Sequence, residues 1–492
     1  MSKQPNILIL LSDQHRWSAL NCYGNGDVVS PNFDALAGQG VRYPRCISGA
    51  PMCCPYRATF QTGLHPHQHG VRINKAPWLG QHFRGLADYF NDAGYETCFI
   101  GKSHWGRQLH YDMPRTNGYV APHHRMRWKH WHGTQGHNHY DSQTYHDDGS
   151  VARDFEDQYQ PTAQTDLALE QIAAFGDSPW LMQLNWGPPH VAGGKIRKQG
   201  VPLIETCHRV NREYGFGLDD ALIDDYPNTK LASVLPQHLV FDSSLMPDRY
   251  LEMYDVEKLN VDPNIPEQFH KLVRYHLKEY YGMVTSLDDE LGRIMKFLEA
   301  TGRDRDTMVI YTSDHGDKIA AHCAPQKFRT KSTWHQNSSR VPLIVWGPHV
   351  GVGRGGTNNT PVNSVDFLPT LLDYIGVPVD PHLPGESVAD TFRGDGVERD
   401  RQVLLSLDTW RGIYDGRHLY AIQGLDESWQ PLTLVDTVTD PYDMQNLLDD
   451  SAHSATKARL HEALVRELIR TSDDQFILRT GLKAANTGAE AS

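Results

Sequence analysis

Four short apolar runs in this chain each end on residues that carry chemistry, and that repetition constrains the fold more than any other feature. Asn6–Ser12 is followed by Asp13, Thr97–Ile100 by Lys102 and His104, Trp180–Asn185 by His190, and Met308–Thr312 by Asp314 and His315. Short, predominantly apolar runs suit strands buried on both faces, as in a parallel sheet. A fifth run, Pro342–Trp346, has the same character, and helix-compatible segments such as Phe83–Ala93 and Phe269–Thr301 lie between the runs. This alternation predicts a doubly wound α/β domain with a mostly parallel sheet. Ligands of open α/β sheets bind beyond the carboxyl ends of the strands. The four runs therefore deliver acids, a lysine and histidines to one edge, which is a site prediction from pattern alone.

The C-terminal part changes character. Short alternating runs at Val403–Leu407, Gly412–Asp415, His418–Ile422 and Leu432–Val435 precede a helix-like stretch at Ala455–Arg470. They predict a smaller antiparallel sheet plus one helix. At 492 residues the chain exceeds one ordinary core. We divide it into a large α/β domain over 1–390 and a small α+β domain over 391–492, with a frayed tail after Thr480. The net charge of −13 argues against a nucleic-acid partner. No apolar run reaches membrane-span length, and Ile7–Leu11 is too short for a signal peptide, so the chain reads as soluble and cytoplasmic. The seven cysteines form no disulfide or zinc ladder and, Cys53 apart, read as small buried hydrophobes.

The most informative segment is Gly49-Ala50-Pro51-Met52-Cys53-Cys54-Pro55-Tyr56-Arg57, which contains C-x-P-x-R. Pro55 suits a first helical turn, and Ala58–Leu64 can continue the helix. Cys53 then stands at a helix N-terminus, where backbone N–H groups favour an anion, and Arg57 follows one turn on. The pattern, with its Gln61-Thr62-Gly63-Leu64 continuation, resembles the signature of the formylglycine-dependent sulfatases of the alkaline phosphatase superfamily. Tyr56 stands where many members carry serine.

The resemblance runs along almost the whole chain. Gly101-Lys102-Ser103-His104-Trp105-Gly106 is similar to the family's GKWHLG segment, Asn185–His190 to its PPH segment, and Ser313–Asp317 to its SDHGD motif. Lys331 precedes Arg340–Val345, which is similar to a family RVPLIV strand, and Asp440–Leu447 resembles the family's C-terminal ending. These matches imply an alkaline phosphatase-like fold. They imply that Cys53 is oxidised to formylglycine by a formylglycine-generating enzyme, with Arg57 supporting it. They imply Lys102 and Lys331 as sulfate clamps, His104 as the partner of the formylglycine hydroxyl, and His190 as the acid for the leaving alcohol. They imply a divalent metal on Asp13, Asp314 and His315, with Gln14 beside them. The family implies calcium, and the imidazole admits manganese or zinc. His322 falls where relatives often have a pocket histidine, and His335 where many have tyrosine.

Two stretches, His110–Asp157 and Val191–Pro247, show little family pattern. The first holds His123, His124, Arg125, Arg127, Trp128, His130, Trp131, His132, His137 and His139. Aromatic and cationic groups together suit a sulfated sugar or an aryl sulfate, and the same composition suits an exposed loop. The implied activity is hydrolysis of sulfate monoesters. The alternatives are a phosphonate monoester or phosphodiester hydrolase of the same superfamily, which shares the Asp-Gln and Asp-His pairs, and a non-catalytic binder of sulfated glycans. A homo-oligomer is compatible with all three.

Overall fold

A computed structural model of the protein describes residues 4–74, 76, 80–105, 118–136, 143–155, 158–190, 195–196, 203–224, 234–242, 246–322, 329–393, 397–425 and 428–480. The expected tail, Cys323, His137 and His139 lie outside them. The large sheet has eight strands: β1 (Asn6–Asp13), β2 (Val41–Arg42), β3 (Glu96–Lys102), β4 (His130–Thr134), β5 (Trp180–Pro189), β6 (Thr307–Ser313), β7 (Leu343–Trp346) and β8 (Gly356–Thr357). Their spatial order is β8-β2-β7-β6-β1-β5-β3-β4. β1 lies at the centre, parallel to β6 and β5. β3 continues the parallel array to β4.

The period of two along β1 assigns its side chains to two cores. Leu8 and Leu10 join one cluster with Val309 and Tyr311 of β6 and with helices α1 (Pro31–Gln39), α4 (Gln160–Ala174) and α5 (His270–Ala300). Ile7, Ile9 and Leu11 join the other with Met308, Ile310 and helices α2 (Cys53–Thr62) and α3 (Leu86–Asp92). Helices thus cover both faces, as the doubly wound expectation requires. Ile7–Leu11 are all fully buried, each contributing roughly 1.5–3 kcal/mol.

The sheet departs from the expected pattern at two places. β7, the run expected as a further parallel strand, is antiparallel to both β6 and β2. The chain therefore leaves β6 and re-enters at β7 on the carboxyl edge of the parallel strands. β4 lies inside the histidine-rich stretch and forms an edge strand. Its Trp131 stacks on Phe99 of β3 with centroids 4.7 Å apart. His124, Arg125 and Trp128 are buried, whereas His123, Arg127 and Val151–Asp154 are exposed, so part of the described stretch packs into the fold.

Four antiparallel strands, β9 (Val403–Leu407), β10 (Trp410–Tyr414), β11 (His418–Leu425) and β12 (Ser428–Asp436), form the small sheet in sequence order. One face packs on Leu460, Leu464 and Leu468 of helix α7, Ser454–Arg470 (α5 is followed by α6, Phe367–Tyr374). The other face packs Leu405, Trp410 and Tyr414 against Ile47 and Ala50, just before Cys53. Among the described residues no helix is long and apolar enough to cross a membrane.

Candidate active site

The nucleophile candidate is set by helix α2. Its first residue is Cys53, and Pro55 falls in the first turn, where the missing N–H has no intrahelical role. Asn74 caps this end by accepting the Cys54 N–H at 3.0 Å. All ten residues of α2 are buried, so Cys53 is held inside the molecule at the carboxyl edge of the sheet.

Around the Cys53 sulfur the strand ends converge. Lys331 Nζ donates to it at 3.2 Å, His315 Nε2 lies at 3.2 Å and Asp13 Oδ1 at 3.9 Å. His104 lies close enough to the same sulfur for Cys53 to raise its proton affinity. Lys102 Nζ donates to Asp13 Oδ2 at 2.5 Å. Arg57 bridges the two acids, with Nη2 at 3.1 Å from Asp13 Oδ2 and Nε at 3.0 Å from Asp314 Oδ2. Its Nη1 donates to the Lys102 carbonyl at 2.7 Å. One guanidinium therefore ties β1, β3 and β6 together beneath the sulfur. Two glycines permit this closeness. Gly101 has φ +90°, and a Cβ there would meet Asn185 O at 2.2 Å; a Cβ on Gly316 would meet Asn337 O at 2.1 Å.

The electrostatics follow from burial of mixed charges. Burial and Asp13 push the Cys53 thiol up, but Lys102, Lys331 and His315 outweigh them and hold it well below its ordinary range. Burial opposes the Lys331 ammonium, yet Cys53, Asp13 and Asp314 raise it. Asp314 is raised by burial and by the like charge of Asp13, against His315 and Arg57. His104 is lowered, first by burial and then by Lys102. These directions describe a pocket prepared for negative charge at position 53.

The donor set fits a divalent cation. Asp13, Cys53, Asp314 and His315 each offer a ligand atom, all within 4.8 Å of one another and all buried. His315 Nδ1 lies 2.9 Å from the Gly316 carbonyl, which can only accept, so Nδ1 carries a proton; Asp314 and Cys53 favour the charged ring, and a cation displacing the Nε2 proton would meet that lone pair. Two carboxylates, an amide oxygen on Gln14 and one imidazole suit calcium, and also manganese.

The structure brings Cys53, Arg57, Lys102, His104, Lys331, Asp13, Gln14, Asp314 and His315 together. His190 follows directly on β5, whose Pro189 is in register with Asp13. That puts His190 at the same edge, half-buried. His322 is held at the rim, its Nε2 at 2.9 Å from the Tyr442 carbonyl, and its ring stacks on His335 at 4.4 Å. Three contributors have no counterpart among the expected site residues. Asn185 lies 3.4 Å from Arg57 Nη1, and Asp317 accepts from Gln14 Nε2 at 2.7 Å. Arg329 pairs with Asp317. Its place as the last residue of the Ser313–Asp317 motif is the sequence signal for Asp317.

The chain is similar to known proteins along most of its length. The chain matches the sequence model of the sulfatases over residues 5–377. It matches that of the C-terminal region of N-sulphoglucosamine sulphohydrolase over residues 326–470. It is 26% identical over 477 residues to an ulvan-active sulfatase of Formosa agariphila, covering 96% of this chain and 82% of that one. The yidJ protein of Bacteroides fragilis superposes with a TM-score of 0.78 at 22% identity, over 98% of this chain and 99% of that one. A phosphonate monoester hydrolase of Agrobacterium radiobacter superposes with a TM-score of 0.63 at 20% identity, over 95% and 96%. The two structures share the fold, and the sulfatase match spans most of the chain: it belongs to the sulfatase family of the alkaline phosphatase superfamily and is a sulfuric ester hydrolase.

Proposed function

We propose that the protein hydrolyses sulfate monoesters of sugars or aryl alcohols through a formylglycine made from Cys53 by a formylglycine-generating enzyme. The observation that carries this reading is the convergence of Lys331, His315, His104 and Asp13 on one buried sulfur at a helix N-terminus. A cation, calcium first and manganese as the alternative, would be held by Asp13, Gln14, Asp314 and His315 and would supply positive charge beside the sulfuryl oxygens. The hydrated aldehyde offers two hydroxyls. One would give its proton to Asp314 and form a bond to sulfur as the ester S–O bond breaks; loss of the second hydroxyl's proton would then re-form the carbonyl as the C–O bond to sulfate breaks. A serine lacks that second hydroxyl.

The chain's own groups divide the work. Lys102 and Lys331 neutralise the sulfuryl oxygens, where charge grows in the transition state. Arg57 keeps Asp13 and Asp314 in place. His190 gives a proton to the leaving alcohol, and His104, kept neutral by burial and Lys102, takes the proton of the second hydroxyl. The second reading, a phosphonate monoester or phosphodiester hydrolase, is favoured by the Asp13-Gln14 and Asp314-His315 pairs; Lys102 and His104 beside the sulfur favour sulfate. Turnover of an aryl sulfate against an aryl phosphodiester by converted protein tests the choice. Sulfate release should dominate and vanish in Cys53→Ala with its melting temperature unchanged; preferred phosphodiester cleavage would move the assignment to the second reading.

A further inference from the structure

Gln14 is constrained at every polar atom. Its φ of +67° lies in the left-handed region that residues with a Cβ seldom occupy. Its backbone N–H donates to Asp314 Oδ1 at 3.0 Å, and its carbonyl accepts from Tyr280 Oη at 2.6 Å. Its Oε1 accepts from Lys331 Nζ at 2.8 Å, and its Nε2 donates to Asp317 Oδ2 at 2.7 Å. An ammonium only donates and a carboxylate only accepts, so these two partners fix which end of the amide faces which way.

Asp317 is itself held. Arg329 Nε pairs with its Oδ2, and the Ile319 N–H donates to Oδ1 at 3.0 Å. Arg329 Nη2 donates to the Pro189 carbonyl at 2.8 Å, one residue before His190, and its guanidinium lies 5.0 Å over the Tyr280 ring. Both side chains are fully buried. Tyr280 thus braces the backbone of Gln14 and contacts the guanidinium that pairs with Asp317.

We propose that Asp317 and Arg329 are a positioning pair that orients the Gln14 carboxamide, turning its oxygen toward Lys331 and the cation centre. The inference rests on Gln14 as a cation ligand, as read above. Without the Asp317 carboxylate the amide can rotate and present N–H groups to an ammonium and a cation, losing an oxygen ligand and repelling Lys331. Partners that orient a ligand typically change metal affinity or activity by about 10–100-fold.

The test is a double-mutant cycle on Ca2+ affinity, measured by calorimetry on the full chain, with melting temperatures and aryl sulfate kcat and KM in parallel. Asp317→Asn and Gln14→Ala should each weaken Ca2+ by about 10–100-fold. The double variant should bind no more weakly than Gln14→Ala, because Asp317 acts through Gln14. If Asp317→Asn fails to fold around the unpaired Arg329, Asp317→Asn with Arg329→Met removes both buried charges and should show the same loss of affinity. Unchanged Ca2+ affinity in Asp317→Asn, or an equal further loss in the Gln14→Ala background, overturns the proposal. Unchanged affinity in Gln14→Ala overturns the cation reading together with it.

Discussion

Lys331 stands with its Nζ 3.2 Å from the Cys53 sulfur, although the two residues lie 278 positions apart. The lysine comes from the excursion between β6 and β7, and the sulfur from the start of α2. In the account given above, this ammonium meets the sulfuryl group directly. Lys331→Ala is expected to lower kcat/KM for an aryl sulfate by about 10²–10³-fold, the range for losing one transition-state charge partner. A loss below about threefold in steady-state assays would remove Lys331 from the sulfate clamp.

Arg57 bridges two buried carboxylates: Nη2 donates to Asp13, Nε donates to Asp314, and Nη2 also lies 3.0 Å from Asp314 Oδ2. Lysine keeps the charge but cannot make that fork. Arg57→Lys should lower kcat by about 10²-fold, and should cost stability on the order of 1–3 kcal/mol as buried acceptors lose their donors. Denaturant unfolding alongside kinetics checks both.

The loop carrying Lys331 is tied on both sides. Ser332 N–H donates to the Pro51 carbonyl at 2.9 Å, and Trp410 Nε1 of the small sheet donates to the Ser332 carbonyl at 3.1 Å. Trp410→Phe removes that donor. The expected result is about a tenfold fall in kcat/KM, equivalent to about 1.4 kcal/mol, with the fold retained. An unchanged value would show that the small sheet does not set the clamp.

The strand ends were legible because buried parallel strands leave near-continuous apolar runs, and Asp13, Lys102, Asp314 and His315 follow them directly. Three features were not. His130–Thr134 reads His-Trp-His-Gly-Thr, and the histidines mask an edge strand that pairs on one side only. Asp317 and Arg329 are 12 residues apart and meet only through the excursion after β6, so spacing gave no sign of their pairing. The direction of β7 depends on the same excursion, which local composition does not encode.

Acid should destabilise the fold through buried histidines outside the site. Burial lowers His67 to about 4, His69 to about 3 and His276 to about 4. In the unfolded chain they titrate near 6.5. As pH falls from 6.5 toward 4 the unfolded chain takes up more protons than the folded one, and stability drops, on the order of 1–2 kcal/mol per histidine by pH 5. Asp288 and Asp443, raised by burial to about 6, offset part of this. Three histidines outweigh them because each moves further. Melting temperature should fall between pH 7 and 5; a constant or rising one would contradict the assignment.

Removal of divalent cations by a chelator should abolish turnover and lower the melting temperature. Added Ca2+ should restore both, by about 2.7 kcal/mol of stability at a hundredfold excess over its dissociation constant. Full activity after exhaustive chelation would contradict the cation centre.

The central claim is the conversion of Cys53, and peptide mass spectrometry reads it directly. The protein is co-expressed with a formylglycine-generating enzyme, and the tryptic peptide containing Cys53 is weighed while aryl sulfate turnover is followed on the same sample. The account predicts the mass loss of a thiol becoming an aldehyde, with turnover proportional to the converted fraction. Sulfate release by protein whose Cys53 is wholly unmodified, or fully converted protein without sulfate release, would contradict it.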